Sequence, residues 1–262
     1  MCSDKYNNQN EALIEVRNLV AHYGEKLILD DVSLEVPKGE IFVVIGGSGC
    51  GKTTLLKHMT GLLTPTSGHV LYSGTDITLM DEDRLSEVQR HIGIAFQSGA
   101  LFNSLTVGEN VALPMREYTD MEEELIQAAV LLKLSLVGLS AAKDLLPAEL
   151  SGGMKKRAGL ARAIALDPPI VYFDEPSAGL DPIMASGLDN LILDLKRLLG
   201  ITFIIVTHEL ESIKKIADHV LMLDGGKAVF QGAVEEAQHS PNERVRQFFE
   251  RKPDAYIVQY NP

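Results

Sequence analysis

Apolar residues along this chain follow two periods. The stretches "LIEVRNLVAHY" (13–23) and "SLEVP" (33–37) alternate apolar and polar, as half-buried edge strands do. "IFVVIG" (41–46) is a continuous apolar run, the pattern of a central strand covered on both faces. "IGIAFQ" (92–97), "IVYFDE" (170–175) and "TFIIVTH" (202–208) have the same form. "VLMLDGGKAVF" (220–230) reads as a hairpin turned at Asp224, Gly225 and Gly226. From about 104 to 160 the strand signal is gone, and "MEEELIQAAVLLKL" (121–134) is apolar at helical spacing. Strands that alternate with helices predict an α/β fold with a largely parallel sheet. The expected layout is a core of 12–97 plus 160–235, interrupted by a helical subdomain at about 98–160. Residues 1–11 are expected to be a disordered tail, and 236–262 a helical tail ending "AYIVQY".

Composition narrows the picture by exclusion. No run approaches 18 uncharged apolar residues; the richest, 189–207, is broken by Asp194, Lys196 and Arg197. No membrane span is expected. A net charge of −12 speaks against a coat for nucleic acid. The two cysteines, Cys2 and Cys50, make no disulfide scaffold and suit a reducing compartment. The start "MCSDKYNNQNEA" has no apolar core of a secretory signal, so Cys2 reads as tail.

The chemistry begins at "GGSGCGKTT", Gly46, Gly47, Ser48, Gly49, Cys50, Gly51, Lys52, Thr53 and Thr54. Gly46, Gly51, Lys52 and Thr53 match the phosphate-binding pattern G-x-x-x-x-G-K-[ST], between an apolar strand and a predicted helix "KTTLLKHMTGL". Glycines let the backbone curl until successive N–H groups face one anion, and the helix N-terminus adds partial positive charge there. Lys52 is expected on the β- and γ-phosphates and the Thr53 hydroxyl on Mg²⁺. Cys50 reads as a small backbone donor, not a redox centre.

Asp174 and Glu175 end a buried strand, where two carboxylates need compensation. Mg²⁺ beside Asp174 would supply it. Glu175 is then free to orient and deprotonate a water that attacks the γ-phosphate. His208 and Gln97 end neighbouring strands; the first is expected near the γ-phosphate, the second on Mg²⁺ or the water. A solvated strand end and a structural histidine are the plainer alternatives. A second glycine turn lies at "LSGGMKKRAGLARAI" (150–164). Lys155, Lys156 and Arg157 are expected in the first turn of the helix that follows the glycines. There they oppose the helix dipole unless a triphosphate or acidic neighbours offset them. A basic solvated face is the alternative.

Taken together, these motifs resemble the nucleotide-binding subunits of ABC transporters: a Walker A loop, a Q-loop at Gln97, a signature "LSGGM", a Walker B "IVYFDE", a D-loop "SAGLD" (177–181) and a switch His208. The resemblance covers roughly 13–235. It implies a P-loop NTPase fold: a RecA-like core with an antiparallel β subdomain and an inserted α-helical subdomain. ATP and Mg²⁺ are the implied cofactors, with Tyr23 stacked on adenine. Ser151, Gly152 and Gly153 would meet the γ-phosphate held by the other copy in a head-to-tail homodimer, and Asp181 would sit at that interface.

"FQSGALFNSLTVGENVALPM" and "LSGGMKKRAGLARAIALDP" further resemble the ATPases that work with MCE-domain proteins, including the Mla phospholipid-trafficking systems. Met154 departs from the common LSGGQ and agrees with that branch. The implied role is an ATP-hydrolysing subunit for lipid transport on the cytoplasmic face of the inner membrane. The implied partners are an integral membrane permease, an MCE-domain protein and a small regulatory subunit, with no nucleic acid. The loop after Gln97 would be the lever; Leu101 and Phe102 on it either face a permease helix or belong to the core. The tail either docks on a partner or folds onto its own core. The main alternative is a soluble assembly ATPase, such as an iron–sulfur scaffold partner. A DNA-repair ATPase would need long coiled coils, and a ribosome-acting relative usually has two cassettes.

Overall fold

The structure is a computed structural model that describes residues 12–252. The expectations for 1–11, including Cys2, and for "AYIVQY" lie outside the described residues. In chain order, β1 (Ala12–Tyr23) and β2 (Lys26–Pro37) form an antiparallel pair. Then come β3 (Ile41–Gly46), α1 (Lys52–Met59), β4 (Ser67–Tyr72), β5 (Thr75–Asp76), α2 (Glu82–Gln89) and β6 (Ile92–Ala95). Three helices follow, α3 (Val107–Tyr118), α4 (Glu123–Leu136) and α5 (Gly152–Ala163). Strand and helix then alternate through β7 (Ile170–Asp174), α6 (Pro182–Leu199), β8 (Thr202–Val206) and α7 (Leu210–Ile216). The hairpin β9 (His219–Asp224) and β10 (Lys227–Ala233) precedes α8 (Val234–Gln238) and α9 (Glu243–Phe249).

The strands build two sheets. One is four-stranded and antiparallel, in the order β2-β1-β4-β5; the other is six-stranded, in the order β10-β9-β3-β8-β7-β6. In the second, β9, β3, β8, β7 and β6 run parallel and β10 is the antiparallel edge. The continuous apolar runs are explained by cores on both faces. Ile41, Val43 and Ile45 of β3 belong to a core with α6, α7 and α9, while Phe42 and Val44 face the core shared with β1, β2 and α1. Side chains alternate along a strand, so a strand covered on both sides has no polar face.

A third core joins α3, α4 and α5 through Val111, Val130, Leu134 and Ala158. Helix α5 also sends Leu160, and its C-cap Ile164, into the sheet core, so it belongs to both layers. Among the described residues no helix is long and apolar enough to cross a membrane.

Candidate active site

The turn between β3 and α1 needs its glycines for two separate reasons. Gly46, Gly49 and Gly51 have φ of 147°, 74° and 108°, which L side chains rarely adopt. Space is also closed: a Cβ on Gly46 would lie 2.2 Å from the Leu223 carbonyl oxygen, and one on Gly51 would lie 2.6 Å from Leu29 Cδ2. Gly47, Ser48 and Gly49 are exposed. Lys52 arches back over the turn, and its Nζ donates to the Gly46 and Gly47 carbonyls at 2.9 Å each. Thr53 is exposed and Thr54 half-buried in the first turn of α1. Cys50 is buried; burial pushes its thiol up from the ordinary value, against the opposing charge of Lys52, which disfavours the reactive thiolate.

The parallel register brings the other chemistry to the same end of the sheet. Val206 of β8 pairs with Val44 of β3 on one side and with Asp174 of β7 on the other. The next residues therefore emerge together: the glycine turn from β3, His208 from β8, Asp174 and Glu175 from β7. Gln97 follows β6, the neighbour of β7, and is exposed. β6 stops at Ala95, two residues before Gln97, so the amide belongs to the loop and not to the strand.

Glu175 has φ 49°, a left-handed conformation that costs a non-glycine residue about 1–3 kcal/mol and recurs at functional sites. Its N–H donates to the Val206 carbonyl at 2.8 Å, and its Oε1 lies 2.9 Å from His208 Nδ1. Its Oε2 is buried without a hydrogen-bond partner. Burial first, and the charge of Glu175 second, push the Asp174 carboxyl above its ordinary value, with Lys52 and Lys57 opposing. Thr53, Gln97 and Asp174 offer oxygen donors only, the set a small hard cation prefers. Among the described residues no three acidic, His or Cys side chains gather as a metal cluster. The donor set is therefore hydroxyl, amide and a carboxylate, and the adjacent carboxylates of Asp174 and Glu175 at one strand end, each raising the demand for positive charge there, fit Mg²⁺.

The second glycine turn lies elsewhere. Ser151 caps α5, its Oγ accepting from Met154 N at 3.3 Å. Ser151 and Gly152 are exposed and Gly153 is buried. A Cβ on Gly153 would lie 2.6 Å from Met184 Cε, and one on Gly152 would lie 3.9 Å from Leu180 Cδ2. These glycines thus rest on Leu180 of the loop before α6 and on Met184 of its first turn, in their own chain. Asp181, in that loop, is exposed and caps α6, accepting from Ile183 N and Met184 N at 3.0 Å each.

The expectation for Lys155, Lys156 and Arg157 needs correction. The helix starts at the glycines, so these residues occupy its second turn and the dipole argument does not apply. They also form no single solvated face: Lys156 is buried, with Nζ donating to the Glu175 carbonyl at 3.1 Å.

Three contributors were not legible as such. Lys156 is one. Arg162 is the second: it donates to Ala100 O at 2.8 Å and Gly99 O at 3.2 Å, fastening the loop after Gln97 to α5. Gly99 and Gly159 permit this approach, since a Cβ on Gly159 would lie 2.9 Å from the Gly99 oxygen. The third is Asn110, fully buried, which accepts from Phe102 N at 2.8 Å and donates toward the Phe102, Leu105 and Thr106 carbonyls. Paired glycines and a lone Asn in an apolar helix were the available signals. Leu101 packs against the helical core, whereas Phe102 is 53 % exposed. Tyr23 is exposed at the tip of the β1–β2 hairpin, whose Leu29 covers Gly51.

A family model for ABC transporters matches residues 29–178. The chain is 45 % identical over 248 residues to the intermembrane phospholipid transport system ATP-binding protein MlaF of Haemophilus influenzae, covering 95 % of this chain and 94 % of the relative. MlaF of Escherichia coli K12 is 43 % identical over 245 residues, 94 % of this chain and 91 % of the relative. Among solved structures, a dimer of the ATP-binding cassette MJ0796 in a post-hydrolysis state with ADP and Pi matches with TM-score 0.77 at 30 % identity, covering 84 % of this chain and 98 % of that one. These matches agree with the expected α/β P-loop fold.

Proposed function

The chain belongs to the ABC transporter family as an ATP-binding, ATP-hydrolysing subunit, and on that premise we propose that it powers phospholipid movement between envelope membranes. The observation that carries this reading is similarity to MlaF along nearly the whole of both chains. It favours transport over the assembly-ATPase alternative. The chain would act as a homodimer on the cytoplasmic face of the inner membrane, beneath a separate integral membrane permease. An MCE-domain protein and a small regulatory subunit are the further partners of this reading, and nucleic acid is not one.

In this mechanism the turn 46–51 wraps the triphosphate with backbone N–H groups, and Lys52 exchanges its loop carbonyls for β- and γ-phosphate oxygens. Tyr23 stacks on adenine. Thr53, Asp174 and Gln97 would hold Mg²⁺, which would supply positive charge to offset that of the phosphates. Glu175 Oε2, the unpaired oxygen, accepts a proton from the attacking water. A bond forms between water oxygen and γ-phosphorus while the bond to the β-bridging oxygen breaks, leaving ADP and phosphate. His208 fixes the direction of Glu175 through Oε1.

Ser151, Gly152 and Gly153 face the γ-phosphate of the other copy, which each protomer needs to complete its site, with Asp181 at the contact. ATP thereby holds two copies together, and its cleavage lets them part. Movement reaches the permease through the loop after Gln97, which Arg162 fastens to α5. The adjoining groove, lined by Arg90, Ile94, Pro114, Tyr118 and Arg162, is the receiving surface.

Affinity capture in mild detergent, with mass spectrometry of proteins and lipids, tests this reading. Recovery of an integral membrane permease with phospholipid supports it. Recovery of a soluble iron–sulfur scaffold in place of any membrane protein replaces it with the alternative.

A further inference from the structure

Lys156 is only 5 % exposed, although it lies on the helix whose start faces solvent at Ser151 and Gly152. A buried ammonium needs compensation. Here it comes from one residue: the Glu175 carbonyl accepts from Nζ at 3.1 Å, and the Glu175 carboxylate supplies the counter-charge. Glu175 is thus held from two sides. Its N–H is bound to Val206 of the central sheet, and its C=O is bound to α5. Between these bonds its backbone keeps φ 49°, which persists only where neighbouring contacts over-determine it. From that backbone the side chain sends Oε1 to His208 and leaves Oε2 buried and unpartnered.

Helix α5 belongs to both the sheet core and the helical core, and Arg162 joins it to the loop after Gln97. Lys156 lies five residues after Ser151, about 7.5 Å along the helix axis. A shift of α5 that seats the Ser151 turn therefore pulls on the Glu175 carbonyl as well.

We propose that Lys156 is a positioning residue that ties Glu175 to α5, so that the placement of one half-site's glycine turn sets the aim of the carboxylate in the other half-site. This rests on the reading of Glu175 as the base. Lys156 acts through the Glu175 carbonyl that its Nζ holds. Its effect falls on the geometry of proton transfer, and therefore on turnover after binding.

The test uses the full chain with Lys156→Met, Lys156→Arg, Glu175→Gln and the double variant Lys156→Met/Glu175→Gln. Lys156→Met is expected to lower kcat at least tenfold, with KM for ATP and nucleotide affinity within twofold of the parent. Lys156→Arg is expected to recover kcat to within about threefold. The double variant is expected to form the same ATP-trapped dimer as Glu175→Gln, which a merely structural lysine would not allow. Parent-like kcat in Lys156→Met, while Glu175→Gln is inactive, overturns the inference and leaves the base in place. Loss of the trapped dimer in the double variant also overturns it, by assigning the lysine to helix assembly. Parent-like turnover in Glu175→Gln removes the base itself and this inference with it. If Lys156→Met fails to bind nucleotide, Lys156→Gln, which keeps an N–H donor, is read by the same criteria.

Discussion

His208 Nδ1 stands 2.9 Å from Glu175 Oε1, joining the ends of two adjacent parallel strands. The contact occupies one carboxylate oxygen and leaves the other buried without a partner. A carboxylate in that position has a fixed direction and one free acceptor, which is what a general base for a single water requires.

Glu175→Gln keeps the shape and removes the acceptor charge. Turnover is expected to fall by about 10²–10⁴-fold while ATP still binds, and size-exclusion chromatography with ATP should show a stable dimer. Parent-like turnover would remove Glu175 from the proton transfer.

Asp174 allows a test through stability. Its carboxyl is pushed up by burial and by Glu175, so the folded state holds its proton more tightly than the unfolded chain does. Its contribution is fully present below the unfolded-state value and is lost as pH rises through the folded-state value. Asp174→Asn removes that loss. The nucleotide-free variant is expected to melt above the parent near pH 7, by on the order of 2 °C. The gap should close toward acid pH, and hydrolysis should be lost throughout. Calorimetry from pH 4 to 8 checks the sign.

The glycine turn separates two neighbouring substitutions. Gly46→Ala combines φ 147° with a Cβ 2.2 Å from the Leu223 oxygen and is expected to cost roughly 2–4 kcal/mol. Gly47→Ala meets nothing within 4 Å at an ordinary φ and is expected to change stability by less than about 0.5 kcal/mol. Chemical denaturation of the nucleotide-free chain reads both.

Asn110→Ala leaves the Phe102 N–H without its acceptor and frees the 102–106 loop. The expected cost is about 1–3 kcal/mol. Intrinsic ATPase should change little, and stimulation by the membrane partner should drop, because Phe102 lies on the lever. Turnover with and without permease in detergent or nanodiscs distinguishes the two effects.

Much of this arrangement is legible along the chain. IFVVIG, IVYFD and TFIIV are strands because they are covered on both faces, and a continuous apolar run reports that directly. The glycine turn is legible because few other residues tolerate its φ angles. What escapes is decided across space. The antiparallel strands β4 and β5 lack a distinctive period, and β2 extends seven residues ahead of "SLEVP" because β1 pairs with Lys26–Val32 as well, where Asp30 and Asp31 interrupt the alternation although Leu29 and Val32 are core residues. Helix α3 runs through Pro114, which sequence rules place at a helix end. Lys156 differs from Lys155 in helical position, sharing the stripe of Leu160 and Ile164 that enters the sheet core, but the Glu175 carbonyl that accepts from it comes from the end of β7 and is brought there only by the fold.

Complementation between two inactive variants tests the shared-site claim most directly. Lys52→Ala disables the glycine turn 46–51, and Ser151→Asp keeps a helix cap while repelling phosphate. If each site takes its phosphate turn from one copy and its Ser151 turn from the other, the mixed dimer regains one intact site, and ATPase should rise well above either variant alone. A mixture no more active than the average of the two would place both turns in the same chain's site and contradict the shared-site dimer.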